Sequence, residues 1–107
     1  MTDSHLVSVI MSTYNANPEH LRQAISSILK QTYQKFELII VNDGSTTIKP
    51  EEIIKSFSDD RIIYIHMEKN QGLTKCLNVA LDHCRGDFIA RMDDDDIALP
   101  TRLEKQV

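Results

Sequence analysis

The sequence is poor in glycine, cysteine and positive charge, and each shortage closes off a class of function. Its three glycines, Gly44, Gly72 and Gly86, form neither a GxGxxG nor a P-loop. That counts against a dinucleotide-binding turn and an ATPase phosphate loop. The two cysteines, Cys76 and Cys84, have no CxxC spacing, so neither a disulfide scaffold nor a zinc site is expected. Net charge is -4 over 107 residues, which leaves no general basic surface for nucleic acid. No apolar run approaches the ~20 residues of a spanning helix, because stretches such as Leu38-Ile39-Ile40-Val41 are only strand-length. The N-terminus lacks the basic start and apolar core of a signal peptide, and the chain is read as cytoplasmic. With 41% hydrophobic and 26% charged residues, it fits one soluble globular domain with a modest core.

The order of patterns supplies the fold class. Val7 to Met11 is a short β-rich apolar run. Asn17-Pro18-Glu19 then combines a capping side chain, a proline suited to the first helical position and an early acid. Leu21, Ala24, Ile25, Ile28 and Leu29 follow on one helical face. Glu37 to Val41 is a second strand, and Pro50 opens a short helix with Ile53, Ile54 and Phe57 inward. Arg61 to His66 is a third strand, and Asn70-Gln71-Gly72 breaks the chain. Leu73, Cys76, Leu77, Ala80, Leu81 and Cys84 recur at helical spacing, so both thiols are expected to be buried packing residues. Gly86 suits the helix stop, Asp87 to Met92 is a fourth strand, and Leu99-Pro100-Thr101 begins another helix. Strands alternating with helices predict a mainly parallel four-stranded sheet flanked by helices.

Polar clusters sit where such a sheet binds ligands, beyond the carboxyl ends of its strands. The first strand ends at Ser12-Thr13-Tyr14-Asn15, the second at Asn42-Asp43-Gly44-Ser45, and the fourth at Asp93-Asp94-Asp95-Asp96. Adjacent carboxylates repel one another. A bridging hard cation, Mg²⁺ or Mn²⁺, removes that cost, and a diphosphate completes its shell. If the run is extended, Asp93 and Asp95 point one way and Asp94 and Asp96 another. An acidic run standing alone reads as a solvated turn. This one follows an apolar strand and faces two other polar strand ends. Tyr14 reads either as an ordinary aromatic or as a stacking platform for a base. Asp43 reads either as a cap for the Gly44-Ser45 turn or as an acceptor for a base N–H. Lys75 and Arg91 read as solvated charges that could also face phosphate, and His66 and His83 receive no role.

Taken in order, these segments resemble glycosyltransferase family 2, whose catalytic domain has the GT-A fold. The resemblance runs from Val7–Asn15 through Ser27–Tyr33, Phe36–Ser45, Asn70–Leu73 and Arg85–Ala90 to Asp93–Asp96 and Leu99–Leu103. It implies a Rossmann-like, nucleotide-sugar-binding half-domain over 1–107, without the acceptor-binding half. It also implies inverting, metal-dependent transfer from a nucleoside-diphosphate sugar to an acceptor hydroxyl, as in polysaccharide biosynthesis. Ser12, Thr13, Tyr14 and Asn15 would hold the nucleoside, and Asp43 would bond the base, usually uracil. Asp93–Asp95 matches the DxD motif. Asp94 would lie near the ribose, and Asp95, with Asp93 beside it, would bind Mn²⁺ or Mg²⁺. Asp96 would stand behind the ligands. Asn42 and Ser12 depart from the common Asp and Pro. No position corresponds to the family's catalytic base, so the fragment alone is expected to be inactive. The implied partners are a nucleotide-sugar donor and a carbohydrate or lipid-linked acceptor, with no nucleic acid. The whole protein would work in the cytoplasm or at the membrane surface.

Three other readings compete. A nucleotide- and metal-binding module without turnover shares every feature above. A receiver-type phosphotransfer domain needs a nucleophilic Asp after the first or third strand, where this chain has Ser12-Thr13-Tyr14 and His66. A nucleotidyltransferase needs a Gly-rich basic loop after the first strand, and Tyr14-Asn15-Ala16-Asn17 is neither.

Overall fold

The computed structural model describes residues 5–106. The elements run β1 (Val7–Thr13), α1 (Pro18–Leu29), β2 (Phe36–Asp43), α2 (Pro50–Lys55), β3 (Ile62–Met67), α3 (Leu73–Asp82), β4 (Phe88–Asp93) and α4 (Arg102–Gln106). The four strands form one sheet in the order β3-β2-β1-β4, and every neighbouring pair is parallel. The chain moves outward from β1 through β2 to β3, then returns to the other side of β1. The strand order therefore reverses between β1 and β4, the place where open α/β sheets form a crevice.

Alternation along the strands sorts the core into two layers. Val7, Val9, Met11, Phe36, Leu38, Ile40, Ala90 and Met92 pack with Leu21, Ala24, Ile25 and Ile28 of α1 and Ile53 and Ile54 of α2. Ile10, Ile39 and Val41 pack with Cys76 and Ala80 of α3 on the other face. The α1 start is built as its residues predict: Asn17 Oδ1 accepts from the Glu19 and His20 amides at 2.9 and 3.2 Å, with Pro18 opening the helix. Gln31 joins the chain's last described segment to α1. Its side chain donates to the Leu99 carbonyl at 2.7 Å and accepts from the Leu103 amide at 3.0 Å.

Several boundaries differ from the sequence reading. β1 and β2 each run two residues further, so Ser12, Thr13, Asn42 and Asp43 are strand residues rather than loop. The register explains this: Thr13 pairs with Asn42 and Ser12 with Asp93, so ladder hydrogen bonds reach that far. The α3 helix ends at Asp82, so Cys84 lies beyond it, half-buried, while Leu73 and Leu81 are exposed. Only Cys76 is a fully buried thiol. Phe57 packs on the core from just past α2. Leu99-Pro100-Thr101 is a turn leading into α4.

Gly86 is also not the α3 stop. A Cβ there would meet Ser8 Oγ at 2.5 Å and the Leu6 carbonyl at 2.7 Å, so the residue lets the α3–β4 connection lie against β1. Glu37 fixes the same place. Its buried carboxylate accepts from Ser8 Oγ at 2.6 Å, the Arg85 amide at 2.8 Å and Arg85 Nε at 3.0 Å, and Ser8 Oγ accepts from the Gly86 amide. This clamp closes the amino-terminal edge of the sheet, opposite the polar strand ends.

Burial pushes the Glu37 carboxyl upward, but the Ser8 hydroxyl and the Arg85 amide and guanidinium outweigh it and hold the group below its ordinary 4.5. A depressed folded value contributes stability that is complete above the unfolded value and lost as pH falls through the folded one. Glu37→Gln should therefore lower stability at neutral pH by about 1–3 kcal/mol. The gap from the native protein should close as pH falls from about 5 to about 3. Chemical denaturation across that range reads the gap directly, and a constant gap would exclude the carboxylate's charge as the source.

Candidate functional site

Parallel strands put the side chains of Ser12, Asp43 and Asp93 on the α3 face at the same sheet edge. They line one open cleft of about 400 Å³ together with Tyr14, Asn70, Gly72, Leu73, Asp94 and Asp95. A larger groove of about 550 Å³ lies between α1 and Ile97–Pro100. It contains none of the strand-end polar residues.

Asp43 is only 3% exposed, yet it does not cap the Gly44-Ser45 turn. Asn42 does that, its Oδ1 accepting from the Ser45 amide at 2.9 Å. The Asp43 carboxylate instead receives the Gln71 amide on Oδ1 at 2.6 Å. Its Oδ2 receives the Gly72 amide at 3.0 Å and Asn70 Nδ2 at 3.1 Å. Asn42 Nδ2 also donates to the Tyr64 hydroxyl at 2.9 Å and lies 3.3 Å from His66 Nδ1. An acid at position 42 would lose that donor, which gives Asn42 a structural reason of its own.

The four residues after the first strand part company. Ser12 and Tyr14 line the cleft, and Tyr14 is 47% exposed, its ring free for stacking. Thr13 points to the opposite face, as strand alternation requires. Its hydroxyl is buried, faces Asp94, and makes no well-formed hydrogen bond among the described residues. Asn15 turns away as well. Its Oδ1 accepts from the Thr46 and Thr47 amides at 2.7 and 3.0 Å, and its own amide donates to Ser45 Oγ. Asn15 has φ of 49°, in the left-handed region that asparagine tolerates better than most residues. This residue ties the chain after β1 to the loop after β2, and so orients the neighbouring Tyr14.

The acidic run is not extended past Asp93. The Asp96 amide donates to the Asp93 carbonyl at 3.2 Å, and the Asp93 amide donates to Asp96 Oδ2 at 3.3 Å. This turn carries Asp96 back to the others. Asp93, Asp95 and Asp96 each offer an oxygen within 4.8 Å of the rest, all three exposed. The expectation that Asp96 faces elsewhere is corrected on that account. Asp94 does point apart and is half-buried. Burial pushes its carboxyl up, the Thr13 hydroxyl pulls it down, and repulsion from Asp95 and Asp93 adds to the rise. Three exposed carboxylates with all-oxygen chemistry fit a hard divalent cation. Arg91 Nη2 lies 3.7 Å from Asp93 Oδ1, with both groups exposed, a pair of little energetic weight. Lys75 is exposed.

Asn70, Gly72 and Leu73 line the cleft without having been assigned a role from sequence. Their signal was a chain break of Asn-Gln-Gly directly before a helix. Gly44 explains why that break lies so close to β2: a Cβ on it would come within 2.7 Å of the Asn70 amide nitrogen and the Lys69 carbonyl carbon. Among the described residues no helix is long and apolar enough to cross a membrane.

Comparison with known proteins agrees with this geometry. The chain is 49% identical over 106 residues to an uncharacterised glycosyltransferase of Methanocaldococcus jannaschii, covering 97% of this chain and 37% of that protein. It is 42% identical over 106 residues to the Escherichia coli UDP-Glc:α-D-GlcNAc-diphosphoundecaprenol β-1,3-glucosyltransferase WfgD, covering 98% of this chain and 41% of that protein. The chain thus spans less than half the length of these relatives. Among solved structures, S. aureus TarS 1–349 in complex with UDP-GlcNAc superposes with a TM-score of 0.85 at 29% identity, covering 94% of this chain and 29% of that one. The Pyrobaculum calidifontis mannosyltransferase PcManGT, in complex with GDP-Man and Mn²⁺, gives 0.81 at 25% identity, covering 91% and 30%. Both are glycosyltransferases built on the same parallel sheet. Residues 8–107 match glycosyl transferase family 2, and the chain belongs to that family.

Proposed function

We propose that this chain supplies the donor- and metal-binding half of an inverting transferase that moves a sugar from a UDP-sugar to an acceptor hydroxyl. The observation that carries the reading is a single cleft that gathers Tyr14 and Asp43 with Asp93, Asp94 and Asp95. That set offers partners for both a base and a metal-bound pyrophosphate. The UDP-sugar named for WfgD and the UDP-GlcNAc bound by TarS support uracil as the base. The Mn²⁺ bound with GDP-Man in PcManGT supports a divalent cation at the acids.

In this reading Tyr14 stacks on the base and Asp43 accepts its N–H. Ser12 lines the floor of the nucleoside site, while Thr13 and Asn15 serve it indirectly, through Asp94 and through the orientation of Tyr14. Asp94 bonds the ribose. Asp95, with Asp93 and Asp96, would hold Mn²⁺ or Mg²⁺. When bound, the cation neutralises charge that develops on the leaving nucleoside diphosphate. The acceptor oxygen bonds the anomeric carbon from the face opposite that leaving group, and the carbon–oxygen bond to the diphosphate breaks. The hydroxyl proton passes to a general base supplied from outside these 107 residues. The acceptor is a carbohydrate or a lipid-linked sugar, as the name of WfgD suggests, and transfer takes place in the cytoplasm or at its membrane surface.

Melting curves with UDP, GDP and ADP, each with and without Mn²⁺, test the reading. UDP with Mn²⁺ should stabilise the fold most, by about 2.7 kcal/mol at a concentration near a hundred times Kd. Absence of metal-dependent stabilisation by any of the three would overturn donor binding.

Asp95→Ala should remove the metal-dependent part and keep the metal-independent part. An unchanged Mn²⁺ response would take Asp95 out of its role. The 107 residues alone should show no measurable sugar transfer in a radiolabel assay, and turnover by them would refute the placement of the base.

A further inference from the structure

Asp43 is a buried carboxylate with no ion pair among the described residues, and its charge is met by neutral donors, chiefly three N–H groups. A carboxylate has about four acceptor directions. Three are taken. Oδ2 receives both the Gly72 amide and Asn70 Nδ2, and Oδ1 receives the Gln71 amide. On Oδ1 one direction remains without a strong donor, the Cys76 thiol against the carboxyl being only a weak one.

Two of the three donors are backbone and would be present with any side chain. The third is Asn70, whose amide also reaches the Asp43 carbonyl at 3.4 Å and so grips the residue at both ends. The backbone geometry demands this closeness. Gly44, at φ of 73°, lies so near the Asn70 amide and Lys69 that no Cβ fits between them. The loop after β2 and the turn before α3 therefore behave as one unit, with Asn70 the side chain that joins them. Beneath them the buried Cys76 thiol lies against Asp43 and Ser12, which leaves the carboxyl little room to rotate on that side.

We infer that Asn70 is a positioning residue for base selection: it locks Asp43 so that one acceptor direction faces the cleft. A base that presents an N–H there bonds it, as uracil does through N3. Cytosine presents a lone pair at the same ring position and is refused, because two acceptors face each other. Without Asn70, Oδ2 gains a free direction and the carboxyl can turn to accept the cytosine amino group. The inference rests on the proposed role of Asp43 toward the base.

Affinities for UDP and CDP, measured with Mn²⁺ by calorimetry, test it on four forms of the protein: native, Asp43→Asn, Asn70→Ala and Asn70→Asp. The last keeps the shape of asparagine, removes the donor and sets a second carboxylate against Asp43, so it should release the Asp43 carboxyl at least as far as alanine does. The native protein should prefer UDP, and Asp43→Asn should lose that preference. Both Asn70 variants should narrow the UDP/CDP ratio by about tenfold, the loss expected for one hydrogen bond to a charged acceptor. Melting temperatures measured alongside should stay close to native, since Asn70 is exposed. A purely structural role would weaken both nucleotides equally and leave the ratio intact. A ratio preserved in both Asn70 variants but lost in Asp43→Asn overturns the positioning role and leaves the base assignment standing. A ratio preserved in Asp43→Asn, or absent from the native protein, overturns the base assignment and this inference with it.

Discussion

Four strands running in one direction leave all their carboxyl ends on one edge, and the polar chemistry of this chain is assembled by that constraint. Asp43 and Asp93 are 50 positions apart in sequence, yet Ser12 of β1 lies between their strands and pairs directly with Asp93. No local turn could bring them together. The strand order reverses beside β1, so the chain leaves a crevice there instead of a crossing helix. The opposite edge is closed by a different device, the Glu37 carboxylate bonded to Ser8 and Arg85 with Gly86 packed against β1. One end of the sheet is thus tied shut and the other left open.

Electrostatics then divides the open edge into two unlike halves. Around Asp43 a single carboxylate is surrounded by N–H donors, buried and fixed. Around Asp93, Asp95 and Asp96 three carboxylates crowd together in the open with few donors between them. The first half suits recognition of a neutral group with an N–H, and the second suits a cation. A nucleoside diphosphate has both ends in one molecule: a base with an N–H, and a pyrophosphate that reaches a metal. Asp94 is half-buried and turned toward Thr13.

Much of this could be read from residues alone, for identifiable reasons. The 3.6-residue spacing of Leu21, Ala24, Ile25 and Ile28 and the capping pattern at Asn17-Pro18 are local signals, and the helix they predict is present. The parallel sheet followed from the alternation of elements. Other features depend on contacts distant in sequence. The strand extensions to Thr13 and Asp43 come from ladder partners on neighbouring strands. The partners of Asp43 lie 27 to 29 positions away, so sequence left a turn cap and an acceptor for a base N–H equally open; Asn42 takes the cap, and the bonding of Asp43 to Asn70–Gly72 had no local signal. Alternation along an extended chain also misdirected Asp96, because the run folds into a turn stabilised by its own Asp93–Asp96 hydrogen bonds. Asn15 was grouped with the nucleoside residues by position, whereas its side chain is spent on the Thr46 and Thr47 amides.

Crystals grown with UDP and Mn²⁺ probe the joint occupation of both halves most directly. Anomalous scattering at the manganese edge should give one peak among Asp93, Asp95 and Asp96, bridged by the pyrophosphate, with uracil between Tyr14 and Asp43. A manganese peak remote from those acids, or a uridine bound away from Tyr14 and Asp43, would contradict the shared cleft on which donor recognition depends.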